Sequence, residues 1–409
     1  MDSKKFLRLC ATGTPEEIKA AIENGADVNM DDENGTMPII YAAEWNKDPK
    51  VFELLIDNGA NINERDCYGE TALINAVSHS PNMEVITTLL NHGADVNIRN
   101  QYGETALMHA TENCSPLKSS DIIKTLIEHG ADVNIVDDRN SGSLLGYVIG
   151  DLESMALLLK HGANTKIEDH TGMTPLMSAA DYAEPESIAL LIGFRADVNE
   201  QNSQGITPLM YAARDNSNMD SIELLIKHGA DVNAKNRDGK TPLMYAAENN
   251  GNTEALSLLL ENGADTNAIS NNGMTVLMYA AADNPNPDAI SLLLDKGSDV
   301  NAKTENGGHT ALMIAAMNNS NSEVVSFLIE GGADVNAKDV NGSTSLMHTV
   351  HSNYNTKTIP ILLDAGADAR IKDNNGKTAL DYAKKLNSLK NTDALKRLEK
   401  ATLSTGIER

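Results

Sequence analysis

The chain has 409 residues, 41% apolar but only 4% aromatic, with a formal charge of −25. That apolar share sustains a buried core of aliphatic rather than aromatic volume, and the acidity disfavours a general nucleic-acid-binding role, because neutralising phosphates needs basic patches. Three scattered cysteines, Cys10, Cys67 and Cys114, supply neither a disulfide framework nor a zinc spacing, and no apolar run is long enough to span a membrane.

The opening MDSKKFLRLCATG lacks the apolar stretch of a secretory signal. Residues 4–24 read as a pair of short helices, with Lys4, Lys5 and Arg8 on the outer end. A Gly-Ala-Asp-Val-Asn string then begins to recur. Its glycine stands at Gly25, Gly59, Gly93, Gly130, Gly162, Gly229, Gly263, Gly297, Gly332 and Gly366, with Arg195 in its place once. The steps are 34, 34, 37, 32, 33, 34, 34, 34, 35 and 34 residues. Such a period means one structural unit stacked in a line.

Between strings the order of signals is constant. Early copies start at Met37, Thr71 and Thr105. The next two steps are irregular: a long turn, CSPLKSSD (Cys114–Asp121), is followed by a loop, DDRNSG (Asp137–Gly142), and a short turn near Gly150 and Asp151. Two opposite length changes in adjacent units predict a local bend. Threonine, proline, Leu-Met and a later Ala-Ala pair then recur from Thr174, Thr207 and Thr241. In the third of these, Thr241 is the N-cap and Pro242 the first helical residue. Asn249–Asn252 interrupt, on the expectation that asparagine tolerates a left-handed backbone in such turns. Leu256, Leu259 and Leu260 mark a second helix, and Gly263 ends it. Looser copies follow from Thr275, Thr310, Thr344 and Thr378, the last leading into a basic terminal pair with Lys384, Lys385, Lys396, Arg397 and Lys400.

This pattern resembles the ankyrin repeat, whose signature is G-x-T-P-L-x-x-A-A followed by L-L-x-x-G-A-D-V-N. The resemblance implies an all-α fold: a helix-turn-helix solenoid of about twelve stacked repeats with β-hairpin-like loops, forming a curved rod with a concave groove. Residues 1–401 form one solenoid, with an N-terminal capping repeat at 1–29, internal repeats at 30–370, a C-terminal capping repeat at 371–401 and a flexible tail at 402–409. Two departures are systematic. Methionine replaces the family's frequent histidine after the leucine, at Met108, Met177, Met210, Met244, Met278, Met313 and Met347, which predicts adaptable packing there. Most units also carry one extra residue between their helices, giving 34 rather than 33.

The resemblance further implies a non-enzymatic module that binds a partner protein or peptide in the groove, through loop tips and first helices. Residues beside the loop glycines vary against a constant scaffold, and they are the recognition candidates: Cys67, Tyr68 and Glu70; Gln101, Tyr102 and Glu104; His170 and Met173; Arg237 and Asp238. Six of the ten tyrosines share one column, Tyr41, Tyr147, Tyr211, Tyr245, Tyr279 and Tyr382. Packing accounts for that column better than recognition does, although Tyr211, Tyr245 and Tyr279 stay candidates beside Trp45 and Tyr182.

No phosphate-binding loop, dinucleotide fingerprint or HExxH occurs. His348 and His351 lie three apart on one predicted helix, but no third ligand stands near them in sequence, so no metal or other cofactor is expected. His92, His129, His161 and His228 each precede a closing glycine, where a helix C-terminus favours positive charge. The expected partner is a protein or peptide, basic if the acidity of the body guides it, with no nucleic acid and no membrane. The chain itself is expected to be a cytoplasmic monomer. Alternatives of other classes are an acidic competitor of a nucleic-acid-binding protein, and a microbial effector acting in a host cytosol.

Overall fold

The computed structural model describes residues 3–79, 81–112, 119–138, 142–214, 219–249, 253–283, 286–352, 357–386, 389–390 and 392–403. Twenty-four α-helices are found among them, with no strand; a lone antiparallel bridge joins Ile269 to Thr275. The fold is thus the all-α helix-pair array that the period predicts. Its contacts divide into two compact units, residues 1–179 with 186–196, and residues 180–185 with 197–409.

In chain order the helices are α1 Ser3–Thr12, α2 Pro15–Glu23, α3 Pro38–Trp45, α4 Pro49–Asp57, α5 Ala72–Ser78, α6 Met83–Asn91, α7 Ala106–Glu112, α8 Ser119–Glu128, α9 Leu144–Tyr147, α10 Leu152–Lys160, α11 Pro175–Asp181 and α12 Pro185–Gly193. They continue as α13 Pro208–Arg214, α14 Met219–Lys227, α15 Pro242–Asn249, α16 Thr253–Glu261, α17 Val276–Asp283, α18 Pro287–Asp295, α19 Ala311–Asn318, α20 Ser322–Glu330, α21 Ser345–Ser352, α22 Thr358–Asp364, α23 Ala379–Ala383 and α24 Asp393–Leu403. Within the first unit, α1, α3, α5 and α7 pack in sequence as one layer, and α2, α4 and α6 as another. The second unit repeats this arrangement, α13 to α23 by odd numbers and α14 to α24 by even numbers.

Helices this short are marginal alone, so stacking must supply their stability. Ala246, Ala247, Ala280, Ala281, Ala315 and Ala316 are buried, and their small side chains let successive odd-numbered helices approach closely. Leu256, Leu259, Ile290 and Leu293 are fully buried on the even-numbered layer. Each such aliphatic contributes about 1.5–3 kcal/mol on burial.

Helix α15 starts at Pro242 as predicted, but the Thr241 hydroxyl is buried without a hydrogen-bond partner; other copies show the predicted cap, with one addition. Thr174, Thr207 and Thr275 accept through Oγ1 from the N–H of Met177, Met210 and Met278, each at 3.3 Å. The methionine sulfur reciprocates, accepting the threonine N–H at 3.4–3.5 Å. At these three positions methionine therefore completes a capping box in which a thioether takes the place usual for glutamate. Carboxylates fill that place at the two ends, Glu17 with Thr14 and Asp381 with Thr378.

Of the Asn249–Asn252 turn, residues 250–252 lie outside the described residues. Among the described residues only Ala183 and Arg195 have positive φ without being glycine. The turn asparagines cap the second helix instead: Asn82, Asn286 and Asn321 accept from the N–H two residues on. Others reach back to the preceding repeat, as Asn46 does to the carbonyls of Cys10 and Gly13, both at 3.0 Å.

The recurrent string is a junction. Asn233 donates to the Gly263 carbonyl at 2.9 Å and accepts from the Asp265 N–H at 2.9 Å, one string onward. Asn63, Asn97, Asn199, Asn267, Asn301 and Asn336 make the same pair of bonds. Arg370 occupies that place in the last string and binds Asp368 of its own string at 2.9 Å.

Gly263 closes its helix at φ +87, in open space. Arg195 holds the equivalent place at φ 68, where a Cβ costs about 1 kcal/mol. Arg195→Gly is therefore expected to stabilise the protein by about 1 kcal/mol, read as a higher urea midpoint at unchanged slope.

Of the irregular region, 113–118 and 139–141 lie outside the described residues, and the predicted bend falls largely on them. What is described there is a first helix, α9, of only four residues, and Asp151 capping α10 through the Ser154 N–H. Gly150 donates its N–H to the Ser187 hydroxyl at 3.1 Å. The last helix runs to Leu403, and the rest of the predicted tail, 404–409, lies outside the described residues.

Candidate functional site

Most loops are built around an Asp or Asn at the entrance, with Ser270 and Thr304 in that place in two of them. Asp66 Oδ1 accepts from the N–H groups of Tyr68 and Glu70, and Asn100 Oδ1 from those of Tyr102 and Glu104, all at 2.9 Å. Neighbouring tips are then tied together. The Cys67 N–H donates to the Asn34 carbonyl, the Gln101 N–H to Tyr68, and the Asp138 N–H to Tyr102, each at 2.9 Å. At Gly69, φ is +77 and an added Cβ would lie 2.9 Å from the Gln101 nitrogen, so this tie demands glycine. Side chains on these tips are thus displayed from a rigid ladder.

The predicted candidates separate by what they touch. Trp45, at the end of α3, is 61% exposed, Tyr68 is 54% and Tyr102 46%. Cys67 and Gln101 are exposed beside them. Glu70 is half-buried and Glu104 buried, and the Asn100 amide bridges them, donating to Glu70 Oε1 at 3.0 Å and to Glu104 Oε2 at 2.8 Å. Glu70 Oε2 is buried with no hydrogen-bond partner. Burial pushes the Glu70 carboxyl above its ordinary value, against the lowering effect of the Asn100 amide. His109 Nε2 stands 3.6 Å from Glu104 Oε2. The first unit therefore holds a partly desolvated pair of carboxyl groups on loops whose Tyr68 and Tyr102 side chains are exposed.

The remaining candidates do other work or stand apart. In the first unit His170 is exposed and Met173 half-buried. In the second, Tyr182 is exposed and its neighbour Asp181 pairs with Arg214 at 2.6 Å. Arg237 and Asp238 are exposed on their loop tip. Tyr211 and Tyr279 are buried, and Tyr245 half-buried. Their hydroxyls meet the loop residue nine positions back: Asn202 for Tyr211 at 3.3 Å, Asn236 for Tyr245 at 3.0 Å, Ser270 for Tyr279 at 3.2 Å. Tyr41 does the same with Asp32 at 2.9 Å, and Tyr382 with Asp373. The column thus braces each loop from the first helix. Lys240 lies over the rings of Tyr245 and Tyr279, 5.5 and 4.6 Å from their centroids, and pairs with Glu248 at 2.7 Å.

The sequence reading missed the Glu70–Asn100–Glu104 cluster as a unit. It joins a residue after one loop glycine to the entrance residue of the next loop, thirty positions on. The signal was available in the register of the repeats, which places these two columns side by side.

Among the described residues no helix is long and apolar enough to cross a membrane. Compared with curated proteins, the chain has no significant match. A family model for ankyrin repeats in groups of three copies matches residues 45–137, 179–270, 250–339 and 312–402. With helix pairs, capped starts and glycine-closed strings following one another through these spans, the chain belongs to the ankyrin-repeat family.

Proposed function

We propose that this chain binds a partner protein through the loop tips of its N-terminal unit, and that the partner places a lysine or arginine against Glu70. Ankyrin repeats generally mediate protein–protein interaction. The observation that carries the finer reading is the Glu70 carboxylate, with one oxygen buried and unpartnered, beneath loops that expose Tyr68 and Tyr102. An ammonium or guanidinium satisfies that oxygen and packs on tyrosine faces. The charge of −25 favours approach of a basic partner.

The test is selection from a displayed random-peptide library on the purified chain. The reading expects enrichment of Lys or Arg within an apolar or aromatic context. Glu70→Gln should weaken selected peptides about tenfold, as expected for loss of one desolvated charge pair, with the melting temperature held or raised. Selected peptides without basic residues, or equal binding by the Glu70→Gln variant, would falsify the reading.

A further inference from the structure

Three side chains from two consecutive repeats of the second unit converge: His309, Asp339 and His348. Asp339 Oδ2 lies 3.0 Å from His348 Nε2 and 3.6 Å from His309 Nε2. The two imidazoles sit edge to face, 5.5 Å between centroids, and the three ligand atoms all lie within 4.8 Å of one another. The Asp339 side chain is only 1% exposed, and its other oxygen accepts from the N–H groups of Asn341 and Ser343 at 2.8 Å. The carboxylate is therefore held in orientation by backbone, as a metal-bound carboxylate is held by its surroundings.

We propose that His309, Asp339 and His348 form a binding site for one first-row divalent transition-metal ion, with Zn2+ as the best-fitting ion. Ligands about 2.0–2.1 Å from a tetrahedral zinc stand roughly 3.3 Å from each other, and the two observed carboxylate–imidazole separations straddle that value. All three ligand atoms lie within 4.8 Å of one another, and the His309 ring is part-exposed. Two imidazoles and one carboxylate exclude Ca2+ and Mg2+, which take oxygen ligands. His309 also lines an open pocket with Thr304, Asn306 and Ile314.

A purely structural role accounts for only part of this cluster. His348 stands where Tyr211, Tyr245 and Tyr279 stand in other repeats, and its contact with Asp339 reproduces their brace on the loop. That contact already satisfies Asp339 Oδ2. The second imidazole, from the preceding loop, stands where Glu70 and Lys240 stand in their repeats, which meet Asn100 and the Tyr279 ring, but neither of those places brings two imidazoles to one carboxylate. A metal bound here would tie two consecutive loops and the helix α21 together.

The chain's own repeats supply variants that preserve the fold. His309→Lys, Asp339→Asn and His348→Tyr each install the residue found at the matching place in the repeat of Asn236, Lys240 and Tyr245. The full chain, stripped with a chelator, is titrated with Zn2+ by calorimetry and with Co2+ by visible absorption. The site requires one ion per chain, the intense visible bands of four-coordinate Co2+, and a higher melting temperature with metal present. Each single variant should lose about tenfold or more in affinity, and the triple variant all stoichiometric binding. No stoichiometric binding by the native chain at micromolar Zn2+, or equal binding by the folded triple variant, overturns the assignment.

Discussion

Replacing Trp45, Tyr68 and Tyr102 together by alanine should weaken partner binding by more than about a hundredfold, since buried aromatic anchors are worth about 2 kcal/mol or more each at an interface. The same variant should melt as the native chain does. All three side chains are about half exposed or more, with Trp45 at 61%, and surface substitutions of this kind shift stability by about 0.5 kcal/mol or less. The two readouts therefore separate recognition from folding. Titration of a selected peptide into both proteins, beside thermal melts, measures them. Equal affinity for the two proteins would place recognition elsewhere on the chain. The acidic-competitor alternative makes a different forecast: binding that collapses with salt but ignores the loss of the aromatics.

Asn233→Ala should cost about 1–3 kcal/mol, because it removes two hydrogen bonds and leaves their backbone partners without them. Asn233 spans the junction between two strings, donating to Gly263 and accepting from Asp265. In a linear array, stability is the sum of unit terms and nearest-neighbour terms. Weakening one neighbour term should lower the urea midpoint and broaden or split the unfolding transition of the second unit. Asn233→Asp retains the acceptor and should show a smaller effect. Urea unfolding followed by helical circular dichroism measures this, and an unchanged midpoint with a single sharp transition would refute the junction role.

The elements that were legible in the sequence are those whose signal is local. Thr241, Pro242 and Leu243 mark a helix start within three residues, and Gly263 marks a stop by backbone conformation alone. The less legible features depend on partners far away in sequence. The Tyr279 hydroxyl finds Ser270 across a loop, and Asn233 finds Gly263 thirty residues on. The methionine column reads as packing, yet the sulfurs of Met177, Met210 and Met278 also accept hydrogen bonds, a role that composition does not announce. Histidine shows the limit best. His348 and His351 look paired on a helix, but the His351 ring lies tilted against that of Tyr382, 4.1 Å between centroids, while His348 turns to Asp339 and His309. Helical neighbours three apart in number need not share a partner when each faces a different repeat.

The string junction has a consequence for how such a chain changes over generations. Copy after copy in the second unit offers the same amide forward and the same backbone pair backward, as Asn199, Asn233 and Asn267 do in turn. A gene duplication or deletion of one whole period there joins surfaces that already match, and the product is expected to fold without compensating mutations. Loop tips can then diverge copy by copy, since none of these junction bonds runs through their side chains. Arg370 breaks the pattern by binding its own Asp368. The string that Gly366 opens therefore carries no forward amide.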